Sequence, residues 1–457
     1  MMFRLASLML LLVTPFSTSS PGGQAFNNDA GPADPQIAAA VNGVSAQMIQ
    51  AAIQKMVSFG TRLTLSAQDQ KGIAAGHGIG AAREWIRAEF NRYSRDCGGC
   101  LEVKIDSFIA APSERIPRPT QIVNVYAVLK GAKAEAGRRI VLVSGHYDSR
   151  NSDTLDISGA APGANDDASG TAVSLECARV LSKLKLSATI IFLAVAGEEQ
   201  GLNGSEHFAE MAKRQGWTIE AVLNNDIVGG DRNPQQDRSV VRVFSEGVPV
   251  AASDQEIGML RTIGGENDST SRELARYVGE VSRSYGTALH PLLILRPDRY
   301  LRGGDHFSFN QQGFAAVRFT EYREAFNHQH QNVRTEGGME YGDLPKFVDF
   351  DYVAHVAQLN AATLASLAAA PAPPGNVRLL TRRLENHSTL TWAPAAGASG
   401  YEIVWRKTSS SDWDQAEKVG DVNQVTLEIP KDNVIFAVRS VDGQGHRSLP
   451  VVASPEQ

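Results

Sequence analysis

The pattern of apolar and polar positions switches repeatedly between a two-residue repeat and a helical one. Residues 101–109 alternate apolar and polar, which predicts a strand with one covered face, and 121–129 predict a second. Pro112, Pro117 and Pro119 between them predict an edge loop. Apolar runs follow at 139–144, 188–196 and 219–225, the pattern of strands buried on both faces. Helical spacing fills the gaps at 168–184 and 201–215. It also marks 44–59, which closes on the glycine stop of Phe59-Gly60-Thr61-Arg62, and 79–93, which carries Trp85, Ile86 and Phe90. Farther on, 271–285 and the Ala/Leu-rich 351–370 predict helices, while 292–295 and 315–319 predict strands. Strand alternating with helix predicts an α/β architecture of three layers, a mainly parallel sheet with helices on both faces.

The pattern changes after Pro371-Ala372-Pro373-Pro374-Gly375, a stiff linker. Short strands are predicted at 390–392, 401–406, 425–429 and 434–441, the spacing of a small all-β sandwich. That segment resembles a fibronectin type III domain, with Trp392 and Tyr401 where that fold packs its core aromatics. The chain of 457 residues, 42% apolar, has room for two folded units. The expected division is a linker at 21–43, an α/β domain at 44–370, a linker at 371–375 and a sandwich at 376–457.

Residues 1–20 read as a secretory signal: Arg4 opens it, 8–13 supply the apolar run, and 15–20 a small-residue exit. Export to the periplasm or the medium is the expectation. Cys97 and Cys100 bracket Gly98-Gly99, and no second pair or nearby His completes a zinc set, so a small structural disulfide is expected. Cys177 falls on the apolar side of a helix and reads as core. The net charge of −6 comes with no basic block, which argues against nucleic acid as a partner. Beyond the first twenty residues no apolar run is long enough to span a bilayer.

Chemistry gathers where the buried strands end. Gly145-His146-Tyr147-Asp148 follows the first apolar run, Glu198-Glu199 the second and Asp226 the third, with Gly163-Ala164-Asn165-Asp166-Asp167-Ala168-Ser169-Gly170 opening a helix. Open α/β sheets gather ligand-binding groups at the carboxyl ends of their strands. Zinc accepts imidazole nitrogen and carboxylate oxygen, and two neighbouring ions need a carboxylate that reaches both. His146, Asp166, Glu199 and Asp226 supply such a set. Two Zn2+ bring four positive charges, three carboxylates answer three of them, and a bridging hydroxide would balance the rest. Glu198 leaves the strand in a different direction from Glu199, so one can ligate while the other moves a proton. Asp148 can hold the His146 tautomer, and Asp167 can cap the helix that follows.

In this order the motifs His146-Tyr147-Asp148, Gly163 to Gly170, Glu198-Glu199 with Gly201, and Asn225-Asp226 resemble those of the co-catalytic zinc exopeptidases. That family includes bacterial leucyl aminopeptidases and glutamate carboxypeptidases, and the resemblance runs over 44–370. It implies two Zn2+, with Asp166 bridging, His146 and Asp226 completing one ion, and Glu199 helping to hold the other. It implies Glu198 as general base and Asp148 as the group that orients His146. The fifth ligand falls in Glu324-Ala325-Phe326-Asn327-His328-Gln329-His330, where the His-x-His form favours His330 and His328 is the alternative. Asp305-His306 also resembles a family segment, one that usually supports structure.

The resemblance therefore implies a secreted metallo-aminopeptidase acting on peptide or protein N-termini. The absence of a large insert between 109 and 121 favours the smaller aminopeptidases over carboxypeptidase-like members. A single-zinc glutaminyl cyclase on the same fold is one rival reading, and a non-catalytic binding protein is another. The sandwich is expected to contact surfaces or polymers, or else to stabilise the enzyme passively.

Overall fold

The computed structural model describes residues 31–132 and 138–456, so the expected signal at 1–20 lies outside the described residues. Helix α1 (Pro35–Asn42) opens the described chain, followed by α2 (Ala46–Val57), α3 (Gln70–Ala74) and α4 (Gly78–Asp96). Then come β1 (Leu101–Ala110), β2 (Thr120–Leu129), β3 (Arg139–His146), α5 (Ala168–Leu181), β4 (Thr189–Val195), α6 (Asn203–Arg214) and β5 (Thr218–Asn225). The α/β portion closes with β6 (Val240–Ser245), α7 (Asp254–Ile263), α8 (Thr270–Tyr285), β7 (His290–Ile294), α9 (His306–Gln311), β8 (Ala316–Glu321) and α10 (Phe350–Ala369).

Eight strands form one sheet in the order β1-β2-β4-β3-β5-β8-β6-β7. Its centre, β4-β3-β5-β8, is parallel, while β1, β2 and the β8-β6 pairing are antiparallel. The sheet is thus mixed, with the parallel part where the sequence shows continuous apolar runs. Both faces are buried, and the alternation of side chains along each strand sorts them. On β4, Ile190, Phe192 and Ala194 join the core under α1, α2, α4, α5 and α10. Ile191, Leu193 and Val195 pack on the opposite face with Phe208 of α6 and Phe309 of α9.

One departure from the sequence reading concerns the N-terminal end, while the sandwich expected at the other end is present. The expected linker at 21–43 contains α1, whose first turn is capped by Asp34 accepting from the Gln36 and Ile37 amides, with Pro35 at the first helical position. Ile37 and Val41 are buried in the main core, so this helix belongs to the domain. At the other end two four-stranded sheets pack on one another through Val377, Leu390, Trp392, Tyr401, Ile403, Phe436 and Val438.

These sheets do not hang from a free tether. Arg439 and Arg447 both reach Glu280 of α8 and Glu402 of the sandwich, at 2.6–3.1 Å. Trp413 Nε1 donates to Glu273 (2.8 Å), Arg276 Nε donates to the Ser411 carbonyl (2.7 Å), and Arg406 pairs with Asp268. These buried charges are paired across the contact, and a shifted docking would leave them unpaired.

The packing of α1 generates a direct test. Ile37→Ala is expected to destabilise the protein by about 2–5 kcal/mol, as for other buried Ile truncations. A denaturant titration showing no change would return α1 to the status of a linker.

Candidate metal centre

The site forms where β3, β4 and β5 end side by side. His146 is the last residue of β3, Glu198 and Glu199 lie just past β4, and Asp226 follows β5 directly. Asp166 comes from the loop before α5, whose Asp166–Asp167 peptide is cis. Asp167 caps α5 by accepting from the Gly170 amide (2.9 Å) and also accepts from the His146 amide (3.0 Å), tying that loop to β3.

Two groups of candidate ligands result, and Asp166 belongs to both. His146, Asp166 and Asp226 each offer an atom within 4.8 Å of the others, and so do Asp166, Glu199 and His330. His146 Nε2 lies 3.2 Å from Asp166 Oδ1 and 3.8 Å from Asp226 Oδ1. His330 Nε2 lies 2.8 Å from Asp166 Oδ2 and 3.1 Å from Glu199 Oε1. His328 goes elsewhere, stacked on Phe347 with its Nδ1 against Asp231. Of the two histidines in the His-x-His, the second therefore reaches the cluster. It does so at φ 53°, a left-handed conformation that disfavours a side chain by roughly 1–2 kcal/mol.

The donors of the His146 group fit a divalent cation. The His146 ring is buried, and its Nδ1 lies 3.2 Å from the Asp148 carbonyl oxygen. A carbonyl only accepts, so Nδ1 carries a proton and Nε2 is the nitrogen that faces the carboxylates. That nitrogen has no hydrogen bond, an expensive state for a buried polar atom unless a cation completes it. Asp148 also binds the site together, accepting from Thr64 Oγ1 (2.9 Å) and from the Glu199 amide (3.2 Å).

The electrostatics agree. Burial would lower the pKa of His146, but Glu198, Asp167, Asp148 and Asp166 outweigh it and hold it well above the usual range. For His330 burial is likewise overcome by Glu199 and Asp166, which push it up to about 10. Burial raises Glu198 well above a normal glutamate, with Asp226, Glu199 and Asp305 adding to it against His146. Acids crowd this space beyond what the nearby side-chain cations answer, and a metal held by these residues would supply the missing positive charge.

Apart from Asp305 and His306, which the sequence singled out, the supporting residues carry no local signature in the sequence. Asp343 accepts from the amides of Asn165 (2.8 Å) and Asp166 (2.7 Å), pinning the loop that presents the shared carboxylate. Buried Arg62 donates to the carbonyls of Tyr147, Pro162 and Gly163, joining the His146 and Asp166 loops. Arg318 of β8, paired beside β5, reaches Asp226 Oδ1 (3.1 Å) and Asp298 (3.0 Å). Arg150 Nε holds Glu199 at 2.9 Å, and its Nη2 lies 2.6 Å from His330 Nδ1. Asp305 is buried close behind the cluster, where burial pushes it up to about 7, and His306 leans on the Pro297 carbonyl (2.9 Å). In front of the cluster opens a cavity of about 570 Å³, lined by Glu198, Glu199 and His330 among others.

A mixed sheet between helical layers, with carboxylates and two imidazoles converging at its parallel strand ends, defines a zinc exopeptidase fold. Two solved structures share it: the LapA aminopeptidase of Legionella pneumophila (TM-score 0.50, 18% identity, 75% of this chain and 78% of that one) and LapB of the same organism (0.51, 19%, 73% and 75%). The model of peptidase family M28 matches residues 124–339. A relative from Leptosphaeria maculans, named "Probable zinc metalloprotease", is 46% identical over 92% of this chain and 97% of its own. The chain belongs to peptidase family M28.

The role of Asp343 is open to measurement. Asp343→Ala frees two amides beside Asp166 and is expected to weaken divalent-metal affinity roughly 10- to 100-fold, the usual cost of losing a supporting partner. Competition with a chromophoric chelator reads it, and unchanged affinity would remove Asp343 from the centre.

Proposed function

We propose that the chain is an exported zinc aminopeptidase that holds two Zn2+ ions and removes residues from peptide N-termini. His146, Asp166 and Asp226 would hold one ion, and Asp166, Glu199 and His330 the other. The observation that carries this reading is the sharing of Asp166 between two groups of ligating atoms that face one cavity. The name of the Leptosphaeria relative supports zinc, and the aminopeptidase among the solved neighbours supports the type of peptidase. When bound, zinc supplies a Lewis acid for the peptide carbonyl and makes water a better nucleophile at neutral pH.

The chain's own groups divide the remaining work. Glu198 lines the cavity and is half-buried; its carbonyl accepts from the Gly201 and Leu202 amides, while its carboxylate makes no hydrogen bond among the described residues. A free carboxylate in that place can take a proton from the attacking water and deliver it to the leaving amine. Asp148 and its carbonyl keep the His146 ring in one orientation and one tautomer. Asp343 and Arg62 hold the Asp166 loop, so the shared carboxylate arrives already placed.

Two further parts of the proposal rest on other observations. The Cys97–Cys100 disulfide supports an oxidising compartment, in keeping with a signal at 1–20. The C-terminal sheets contribute no metal-ligating group among the described residues, and their charged docking on α8 supports a stabilising role over a polymer-contacting one.

Glu198→Gln is expected to lower turnover by about 10²- to 10⁴-fold, the range for a general base, with zinc content unchanged. The parent should cleave free-amine peptides and leave their N-acetylated forms intact. A Glu198→Gln enzyme as active as the parent, or equal cleavage of blocked peptides, contradicts the proposal.

A further inference from the structure

The cavity in front of the metal centre is bordered by three arginines, Arg115, Arg150 and Arg302, on a chain whose net charge is −6. The acidic residues among its lining are Glu198 and Glu199, and both belong to the chemistry just described. The three arginines are not equivalent. Arg150 is spent inside the protein: Nε on Glu199, Nη1 on the Asn151 carbonyl (3.1 Å), Nη2 against His330. Its neighbours at the rim are different.

Arg115 is exposed, and its one hydrogen bond among the described residues runs from Nη1 to the Glu199 carbonyl (3.2 Å). A carbonyl anchors the guanidinium without neutralising it, and no described carboxylate pairs with it. Arg302 lies 3.5 Å from Glu324, but that carboxylate is already held at 2.8 Å by Arg242 and at 2.7 Å by Arg299. Nor does Asp298 have charge to spare, since Arg299 and Arg318 both take it. Four arginines, Arg242, Arg299, Arg302 and Arg318, thus meet three carboxylates, Glu324, Asp298 and Asp226, and Arg302, the most distant from its acid, presents the excess at the rim. Two cationic forks with unanswered charge face one cavity over the metal centre.

We infer that Arg115 and Arg302 select substrates carrying a carboxylate on the leaving side of the scissile bond, a reading that rests on the aminopeptidase assignment. Residues in an extended chain advance about 3.3–3.6 Å each, so a carboxylate one or two residues beyond the scissile carbonyl stays within the mouth of the cavity. Arg115 is anchored on the carbonyl of Glu199, one residue from Glu198, and lines the same cavity. Guanidinium is the side chain best matched to a carboxylate, through two parallel charged hydrogen bonds. The carboxylate has two sources with the same chemistry: the C-terminus of a di- or tripeptide, or an Asp or Glu side chain after the cleaved bond. Either way the preferred substrates are acidic on that side, and longer neutral peptides are poorer ones.

The test compares matched pairs on the zinc-loaded full chain. Leu-Gly against Leu-Gly-amide isolates the terminal carboxylate, and Leu-Glu-amide against Leu-Gln-amide isolates the side chain. At least one acid should exceed its neutral partner in kcat/KM by roughly tenfold, mostly through KM, as expected for partly exposed charged hydrogen bonds. The ratio should shrink as salt rises from 0.02 to about 0.5 M, where the Debye length falls to a few ångströms. In Arg115→Gln/Arg302→Gln the acid-to-amide ratio should fall toward one, and Arg115→Lys/Arg302→Lys should recover part of it. A structural defect lowers both members of a pair and leaves their ratio in place, so a ratio that persists in the double Gln variant overturns the inference. So do equal rates for acid and neutral forms in the parent, with neutral free-amine peptides cleaved. A parent that cleaves no free-amine peptide overturns the aminopeptidase reading, and this inference with it.

Discussion

One carboxylate, that of Asp166, belongs to both groups of candidate ligands, and much of the surrounding structure serves to hold it in place. Asp166 lies within 4.8 Å of Asp226 and His146 on one side and of Glu199 and His330 on the other. Like charges at such distances repel by on the order of 3–4 kcal/mol at the effective dielectric of protein sites. The folded chain tolerates them because each is separately held: Asp166 through Asp343 at its amide, Asp226 by Arg318, Glu199 by Arg150. Even so, the unpaired Nε2 of His146 leaves the arrangement short of positive charge at its centre. A divalent cation held there would complete it.

The sheet makes this concentration of charge possible. Four parallel strands deliver their carboxyl ends to one edge, and their apolar bodies bury both faces beneath α5 and α10 on one side and α6 and α9 on the other. Rigid strands fix the points from which His146, Glu199 and Asp226 start, so the loops span only short distances. The β5–β8 register sets Arg318 next to Asp226 without any loop at all. The sandwich at the C-terminus contributes none of the candidate ligands or cavity-lining residues among the described residues. It braces α8, a helix that packs on β6, β7 and β8 at the far side of the sheet.

The sequence made much of this legible, and the physical reason is locality. Each strand that feeds the centre is a short apolar run, and the residue carrying the chemistry follows it at once, so pattern and motif coincide. Choosing between His328 and His330 needed the fold, because the two differ only in which way the chain turns at a left-handed residue. What stayed hidden acts across long sequence distances. Asp343 binds Asp166 from 177 residues away, and nothing around it marks it as different from other turn aspartates. Arg62 read only as part of a helix stop. A better clue was Arg318, a charged residue inside the apolar 315–319 run, since a buried arginine in a strand must have acids to meet. Helix α1 was hidden by its Gly, Pro and Ala surroundings, although Asp34-Pro35 is itself a helix-start signal.

The most direct trial of the two-ion centre is anomalous diffraction from crystals grown with zinc, measured on both sides of its absorption edge. Two peaks per chain, one between His146, Asp166 and Asp226 and the other between Asp166, Glu199 and His330, are the expected result. A single peak, or peaks that leave the Asp166 carboxylate uncoordinated, would contradict it.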